Sequence, residues 1–203
     1  MPETTTDRRP FLVRSYALAA EVAAGVRPDQ LGTPTPCAQF DVATLVDHLV
    51  GAGWRAVALG RGEAPTGAEF PHVELVEAPR QLRSAGTEAE AAWAGDGTLA
   101  ATTAMPWGET YTGATLVDMY LAEMAAHAWD LAAATGQLGS LDPALAGTAL
   151  EAARSMLKPE YRDAMEPGSP FGQEVAAPDG ASPWERLAAF MGREPRPWPD
   201  GPA

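Results

Sequence analysis

The stretch that decides the fold is residues 118–136, DMYLAEMAAHAWDLAAATG, which is rich in Ala, Leu and Met and contains no Pro. These residue types have high helix propensity, and Gly136 suits the left-handed position that commonly ends a helix. On such a helix Glu123 and His127 are four residues apart and therefore lie next to each other on one face. The stretch predicts a long central helix that carries a carboxylate beside an imidazole.

The face that carries this pair is otherwise mostly apolar, because Met119, Tyr120 and Leu131 share it. An unpaired charge on a buried face is costly, and a bound metal ion is one way to offset that cost. Glu-x-x-x-His pairs are also common on solvent-exposed helices, so the pair alone is compatible with either interpretation.

Histidine is scarce in this chain, which has only three, at positions 48, 72 and 127. His48 lies in a second helical pattern, residues 43–60, among apolar side chains, whereas His72 lies in a Gly-, Pro- and Glu-rich segment and is expected in a loop or on the surface. If the two helices pack together in a bundle, His48 converges with Glu123 and His127. Two imidazoles and one carboxylate leave a coordination position open, which is the pattern of catalytic zinc and of non-haem iron.

Composition limits the class of protein. The 203 residues include 46% hydrophobic and 20% charged residues, which favours one globular domain. The formal net charge of −13 disfavours nucleic acid and anionic membranes as partners, and the single cysteine suits a reducing cytoplasm. The N-terminus MPETTTDRRP lacks the apolar core of a secretory signal, and no run of about 18 apolar residues predicts a membrane span. We therefore expect a cytoplasmic protein.

The hydrophobic pattern predicts an all-α bundle of four main helices with one or two further C-terminal helices. We expect a flexible N-terminus over residues 1–9 and a single metal-binding domain with a C-terminal extension over residues 10–203. A Thr-rich segment, residues 99–112, predicts a short extended pair or an irregular lid, in which Trp107 could line the mouth of a pocket. The first helix is predicted from residue 10 to about residues 25–27, and the others at about residues 41–59, 79–93, 114–135, 142–157 and 182–192.

Three further residues are candidates for roles near the site. Arg55 follows His48 by seven residues and could bind a substrate carboxylate, or it is a solvated arginine at a helix end. Asp130 could accept the ring hydrogen of a metal-binding His127, or it is an ordinary helix-packing carboxylate. Cys37 is expected to be a small buried apolar residue away from the site, because a Pro-rich connector and about 10 Å of helix separate it from His48 unless the connector folds back.

Three blocks of sequence resemble the mycothiol-dependent maleylpyruvate isomerase family, which belongs to the DinB-like metal-binding helical bundles. They are PTPCAQFDVATLVDHLVGAG (34–53), AEMAAHAWDLAAATGQ (122–137) and GREPRPW (192–198). The resemblance extends from Phe11 to Trp198. It implies a DinB-like four-helix bundle, a divalent metal (zinc, with nickel or iron as alternatives) bound by His48, Glu123 and His127, and mycothiol, the thiol of actinobacteria, as cosubstrate. The richness in Ala, Gly and Pro also suits an actinobacterial genome.

The resemblance implies that the isomerase of this family has a further C-terminal domain after its helical bundle. This chain ends at Ala203, soon after the predicted bundle, so we expect a shorter member of the family. The resemblance implies a thiol-dependent isomerase or S-transferase that acts on an electrophilic substrate as a monomer or homodimer. Two alternatives stay open. One is a metalloenzyme that uses iron or zinc without a thiol, and the other is a non-catalytic metal-binding bundle that acts through a protein partner.

Overall fold

The computed structural model describes residues 7–65, 70, 72–158, 162 and 171–195. Within these ranges the chain forms seven α-helices and one two-stranded antiparallel hairpin, which confirms the predicted all-α class. The helices are α1 (Arg9–Ala24), α2 (Val42–Gly60), α3 (Ala78–Ala92), α4 (Asp96–Ala100), α5 (Gly113–Thr135), α6 (Pro143–Met156) and α7 (Pro183–Phe190), and the strands are β1 (Thr102–Ala104) and β2 (Thr110–Thr112).

Four helices form the bundle around one apolar core. Helix α1 packs against α3 and α5, and α2 packs against the same two helices, so α1 and α2 occupy opposite corners. Helix α6 covers the outer side of α5, and α7 packs on α6. This arrangement agrees with a DinB-like bundle and places α2 directly beside α5, which is the packing that the convergence of His48 with Glu123 and His127 requires.

The helix boundaries follow from local capping. The side chain of Asp41 accepts a hydrogen bond from the Thr44 amide at the start of α2, and Thr112 does the same for the Thr115 amide at the start of α5. Helix α5 ends at Gly136, whose φ of 76° is left-handed, as predicted. These caps place the ends of α2 and α5 within two residues of the predicted positions.

The segment between α3 and α5 holds one element that the sequence did not predict. The extended pair forms as β1 and β2, with Thr102 opposite Thr112. Helix α4 precedes the hairpin and was missed, because five residues that include Gly97 carry little helical signal of their own. Its packing against α5 holds it in place.

Helix α2 is also the one described helix that is long and apolar enough to cross a membrane by length and composition alone. That is weak evidence, because 61% of its most apolar window is buried inside the bundle. The core position of α2 accounts for its apolar character.

Two predictions concern residues that the structure does not describe. Most of the predicted flexible N-terminus is residues 1–6, and Trp198 belongs to the tail after residue 195, so both lie outside the described residues. The division into residues 1–9 and 10–203 stays a prediction.

Candidate metal centre

Helices α2 and α5 bring His48, Glu123 and His127 together inside the bundle. The candidate ligand atoms of the three side chains all lie within 4.8 Å of one another. His48 Nε2 is 2.8 Å from Glu123 Oε1, and His127 Nε2 is 3.6 Å from the same oxygen. The spacing along α5 accounts for the Glu123–His127 pair, and the packing of α2 against α5 adds His48.

The orientation of the His127 ring is fixed by a neighbouring carboxylate. His127 Nδ1 lies 3.0 Å from Asp130 Oδ2, and both side chains are fully buried. Burial opposes ionisation of Asp130, but the charge of Arg193 and the hydrogen bonds from His127 and Arg193 lower its pKa. An ionised carboxylate can only accept, so Nδ1 carries the ring hydrogen and Nε2 presents its lone pair.

His127 Nε2, which carries that lone pair, and Nδ1 of His48 are the two buried ring nitrogens of the cluster that lack a hydrogen-bond partner among the described residues. A buried polar atom without a partner is costly, whereas neutral imidazole Nε2 is a common ligand of divalent metals. The donor set and the orphaned nitrogen both fit a divalent cation, with His48, Glu123 and His127 as the residues that could hold it.

Glu123 supplies a negative charge to this set. Burial opposes its ionisation, but the hydrogen bond with His48 and the electrostatic interactions with His127, His48 and Arg193 outweigh burial and lower its pKa to about 2. Glu123 is therefore a carboxylate at neutral pH. An anionic oxygen beside two imidazoles favours a cation at their centre.

Aromatic rings enclose the imidazoles. The Phe40 ring centroid lies 4.8 Å from that of His48 and 5.9 Å from that of His127, and the Phe70 ring lies 4.7 Å from His48. Apolar walls of this kind limit the access of water and strengthen electrostatic interactions within the site.

Cys37 lies beside this cluster, so the prediction that it is distant from the site was wrong. The connector between α1 and α2 folds back on itself, with Pro34 bridged to Asp41, instead of continuing along the helix axis. The sulfur of Cys37 lies within 4.8 Å of ligand atoms of His127 and Asp130. Cys37 is only 3% exposed, as expected for a small buried residue, and burial raises the pKa of its thiol.

Cys37, His127 and Asp130 form a second group that could hold a metal, and it shares His127 with the first. Asp130 is already paired with Arg193, whose Nη2 lies 2.8 Å from Asp130 Oδ2. The fixed positive charge of Arg193 would repel a cation bound at Asp130. The group on the α2–α5 face is therefore the better candidate.

A cavity of about 810 Å³ opens directly beside His48 and Glu123. Its volume lies within the range of small-molecule sites, and its walls are mostly apolar and aromatic. Trp107, which is 59% exposed, lines this cavity as predicted. The other aromatic, Met and Leu side chains of the wall are Phe40, Phe70, Tyr111, Met119, Tyr120, Met156, Leu157 and Phe171.

Arg55 is the one Lys or Arg residue among those described residues that line the cavity. Its guanidinium stacks 4.6 Å from the Phe70 ring centroid, and its positive charge acts on Tyr120, which also lines the cavity. Burial raises the pKa of Tyr120, which stays a neutral phenol. Arg55 therefore lies on the cavity wall rather than in open solvent at the helix end.

His72 has no place in the cluster. Its side chain is 71% exposed and lies 3.2 Å from Asp47 on the protein surface, which confirms the sequence expectation.

In contrast, sequence reasoning missed Arg193, which enters the core from the C-terminal segment. The available signal was the Gly-Arg pair at 192–193, directly after an apolar helical pattern.

Comparison with known proteins gives a family for this architecture. The profile of the family described as "Mycothiol maleylpyruvate isomerase N-terminal domain" matches residues 14–132, which include all three candidate ligands. Uncharacterized proteins from two strains of Mycobacterium tuberculosis are each 37% identical over 188 residues, which cover 90% of this chain and 96% of the relative. No solved structure matches the chain significantly.

Proposed function

The chain belongs to the mycothiol maleylpyruvate isomerase N-terminal domain family, and on that premise we propose that it is a thiol-dependent isomerase or S-transferase with a divalent metal, zinc, held by His48, Glu123 and His127. The observation that carries the proposal is the buried, partnerless Nε2 of His127, which lies beside Glu123 and His48 next to a cavity of about 810 Å³.

The donor set suits catalysis better than a structural role. Structural zinc sites are usually closed by four protein ligands, whereas three ligands leave room for an exogenous one. His72 is on the surface, and Cys37 groups with His127 and Asp130 rather than with His48 and Glu123. The family name supplies the exogenous ligand, which is mycothiol.

When bound, a divalent cation would lower the pKa of a thiol ligand so that the thiolate is present at neutral pH. Residues of the chain then hold the reacting groups. Phe40 and Phe70 exclude water from the imidazoles, and Asp130 keeps the His127 ring in one orientation. Arg55, on the cavity wall, would bind a carboxylate of the substrate through its guanidinium fork.

Both reactions begin with attack of the thiolate on an electrophilic carbon. In an isomerisation a C–S bond forms, the π electrons move onto a conjugated carbonyl, rotation occurs about the resulting single bond, and the C–S bond then breaks to restore the double bond and the thiolate. In a transfer the C–S bond is kept, and either a leaving group departs with its electron pair or the adduct takes up a proton. The apolar aromatic walls favour an electrophile with an apolar body.

The setting of this chemistry follows from the same premise. Both relatives are mycobacterial, which supports an actinobacterial source, and the single cysteine of the chain suits a reducing cytoplasm. We therefore propose a cytoplasmic enzyme whose partners are a low-molecular-weight thiol and a small electrophile.

Cobalt substitution tests the proposal, because bonding of a thiolate to cobalt produces an intense near-ultraviolet charge-transfer band. We expect this band when mycothiol is added to the cobalt protein, and we expect no band with His127→Ala. A cobalt protein that binds its metal at the site but shows no spectral response to mycothiol would refute thiol-dependent chemistry. A metalloenzyme without a thiol, or a non-catalytic bundle, would then be favoured.

A further inference from the structure

We infer that Arg193, from the C-terminal segment, is a positioning residue for the candidate metal centre and acts through Asp130 to hold His127 Nε2 toward Glu123 and His48. The inference deepens the proposed function and rests on it, but the His127 tautomer on which it depends can be measured in metal-free protein. Arg193 lies outside the family match, which ends at residue 132. The site would therefore depend on a segment that the matching domain does not contain.

Arg193 reaches the core because α7 is followed by a tight turn at Gly192. Gly192 has a left-handed φ of 82°, its amide donates to the Ala189 carbonyl, and the Arg193 amide donates to the Ala188 carbonyl. These two bonds form a Schellman motif, in which the residue after the glycine turns back toward the body of the protein. A Cβ on Gly192 would also lie 2.8 Å from the Gly172 Cα, so the turn requires glycine for two separate reasons.

Helix α7 is itself anchored, so this turn has a fixed position. Ser182 and Glu185 form a capping box at its start. The Trp184 indole nitrogen donates to the Asp142 carbonyl at 3.1 Å, which links α7 to the start of α6. The guanidinium of Arg162 adds a link at the other end, through a hydrogen bond to the Phe190 carbonyl. The position of Arg193 is therefore set by the C-terminal packing.

The guanidinium of Arg193 makes a bidentate contact with the Asp130 carboxylate. Arg193 Nε lies 3.1 Å from Asp130 Oδ1, and Arg193 Nη2 lies 2.8 Å from Asp130 Oδ2. The second of these oxygens is also the one 3.0 Å from His127 Nδ1. A guanidinium only donates, so both carboxylate oxygens act as acceptors and the hydrogen between Asp130 and His127 belongs to Nδ1.

The contact between Arg193 and Asp130 also determines the orientation of the His127 ring. Two parallel bonds fix the plane of the Asp130 carboxylate, and that plane sets the direction of the His127 ring. Residues that hydrogen-bond the far nitrogen of a metal-binding histidine typically change metal affinity by about 10- to 100-fold when they are lost. Arg193 hydrogen-bonds to Asp130 and not to His127, so its loss should change metal affinity through the tautomer and orientation of His127.

The test uses the full-length protein and two readouts. Nitrogen NMR of the His127 imidazole in metal-free protein should show the Nδ1–H tautomer in the wild type and a mixture of tautomers in Arg193→Met. Competition titration with cobalt should show affinity about 10-fold lower in Arg193→Met and a smaller loss in Arg193→Lys, which keeps the charge but not the fork. Arg186→Met, which removes an exposed arginine from α7 itself, is the matched control and should stay within about twofold of the wild type.

A second variant separates positioning from folding. Arg193→Met leaves Asp130 as an uncompensated buried charge, whereas the double variant Asp130→Leu/Arg193→Met removes both charges, an exchange that is often neutral for stability. With no acceptor at Nδ1, the His127 hydrogen should move to Nε2, where Glu123 accepts it, and cobalt affinity should remain low despite a normal unfolding temperature.

Two results would overturn the inference. One is an Nε2–H tautomer in the metal-free wild-type protein. The other is a folded Arg193→Met or double variant that keeps both the Nδ1–H tautomer and the wild-type cobalt affinity. If the wild type binds no cobalt at all, the proposed function fails, and the tautomer measurement still decides whether Arg193 positions His127.

Discussion

The candidate site has two parts that differ in how the sequence specifies them. The helical wall is the facing surfaces of α2 and α5 with His48, Glu123 and His127, and the covering segments are the connector 34–41 and the turn 191–193. The helical wall contributes the atoms that could bind a metal. The covering segments contribute Phe40, Cys37 and Arg193, which enclose those atoms or orient them. The candidate ligands therefore come from the helices themselves, whereas the groups that orient them come from tertiary packing of the segments around those helices.

The largest expected effect is in the helical wall. Replacing His48, Glu123 or His127 by Ala removes one of three ligands, so we expect the metal content of purified protein to fall by about 10-fold or more in each variant. Elemental analysis of the purified protein measures this. His72→Ala is the matched control and should retain the wild-type content, because His72 lies on the surface. Wild-type metal content in all three variants would contradict the assignment of the helical wall.

The other side of α2, away from the helical wall, packs closely against α1 and α3, and a single methyl group should disturb that packing. A Cβ on Gly53 in α2 would lie 2.8 Å from the ring of Tyr16, which is fully buried and hydrogen-bonds to the Gly53 carbonyl. We therefore expect Gly53→Ala to reduce the free energy of unfolding by about 1–3 kcal/mol in urea denaturation.

Gly147 in α6 provides the opposite case for the same substitution. It is exposed, and a Cβ there would meet no atom within 4 Å. Gly147→Ala should therefore stabilise the protein by about 0.5–1 kcal/mol, because alanine has the higher helix propensity. Equal effects of the two substitutions would show that packing at Gly53 is looser than its geometry indicates.

The helical wall was predictable because its information is local. A four-residue spacing puts Glu123 and His127 on one face whatever surrounds them, and the caps at Asp41 and Gly136 mark the helix ends. The position of His48 needed one further assumption, that α2 packs beside α5, and the structure agrees with it.

The covering segments were not predictable in the same way. The distance from Cys37 to the site was judged along the helix axis, but the connector closes on itself through the Pro34–Asp41 bridge. Arg193 reaches Asp130 only because α7 docks on α6 and ends in a left-handed turn. Both contacts depend on tertiary packing between segments far apart in sequence, for which the residues themselves carry only weak local signals.

The smallest expected effect sharpens the boundary between the two parts. Cys37 lies against His127 and Asp130, yet it belongs to a covering segment and Asp130 is already paired with Arg193. We therefore expect Cys37→Ala to keep the metal content within about twofold of the wild type. Burial raises the pKa of the thiol, so alkylation of native Cys37 near neutral pH should be far slower than in urea-unfolded protein. Elemental analysis and mass spectrometry of alkylated protein measure the two effects. A loss of metal in Cys37→Ala as large as that in His127→Ala would make the sulfur a ligand, and the separation between the helical wall and its covering segments would no longer hold.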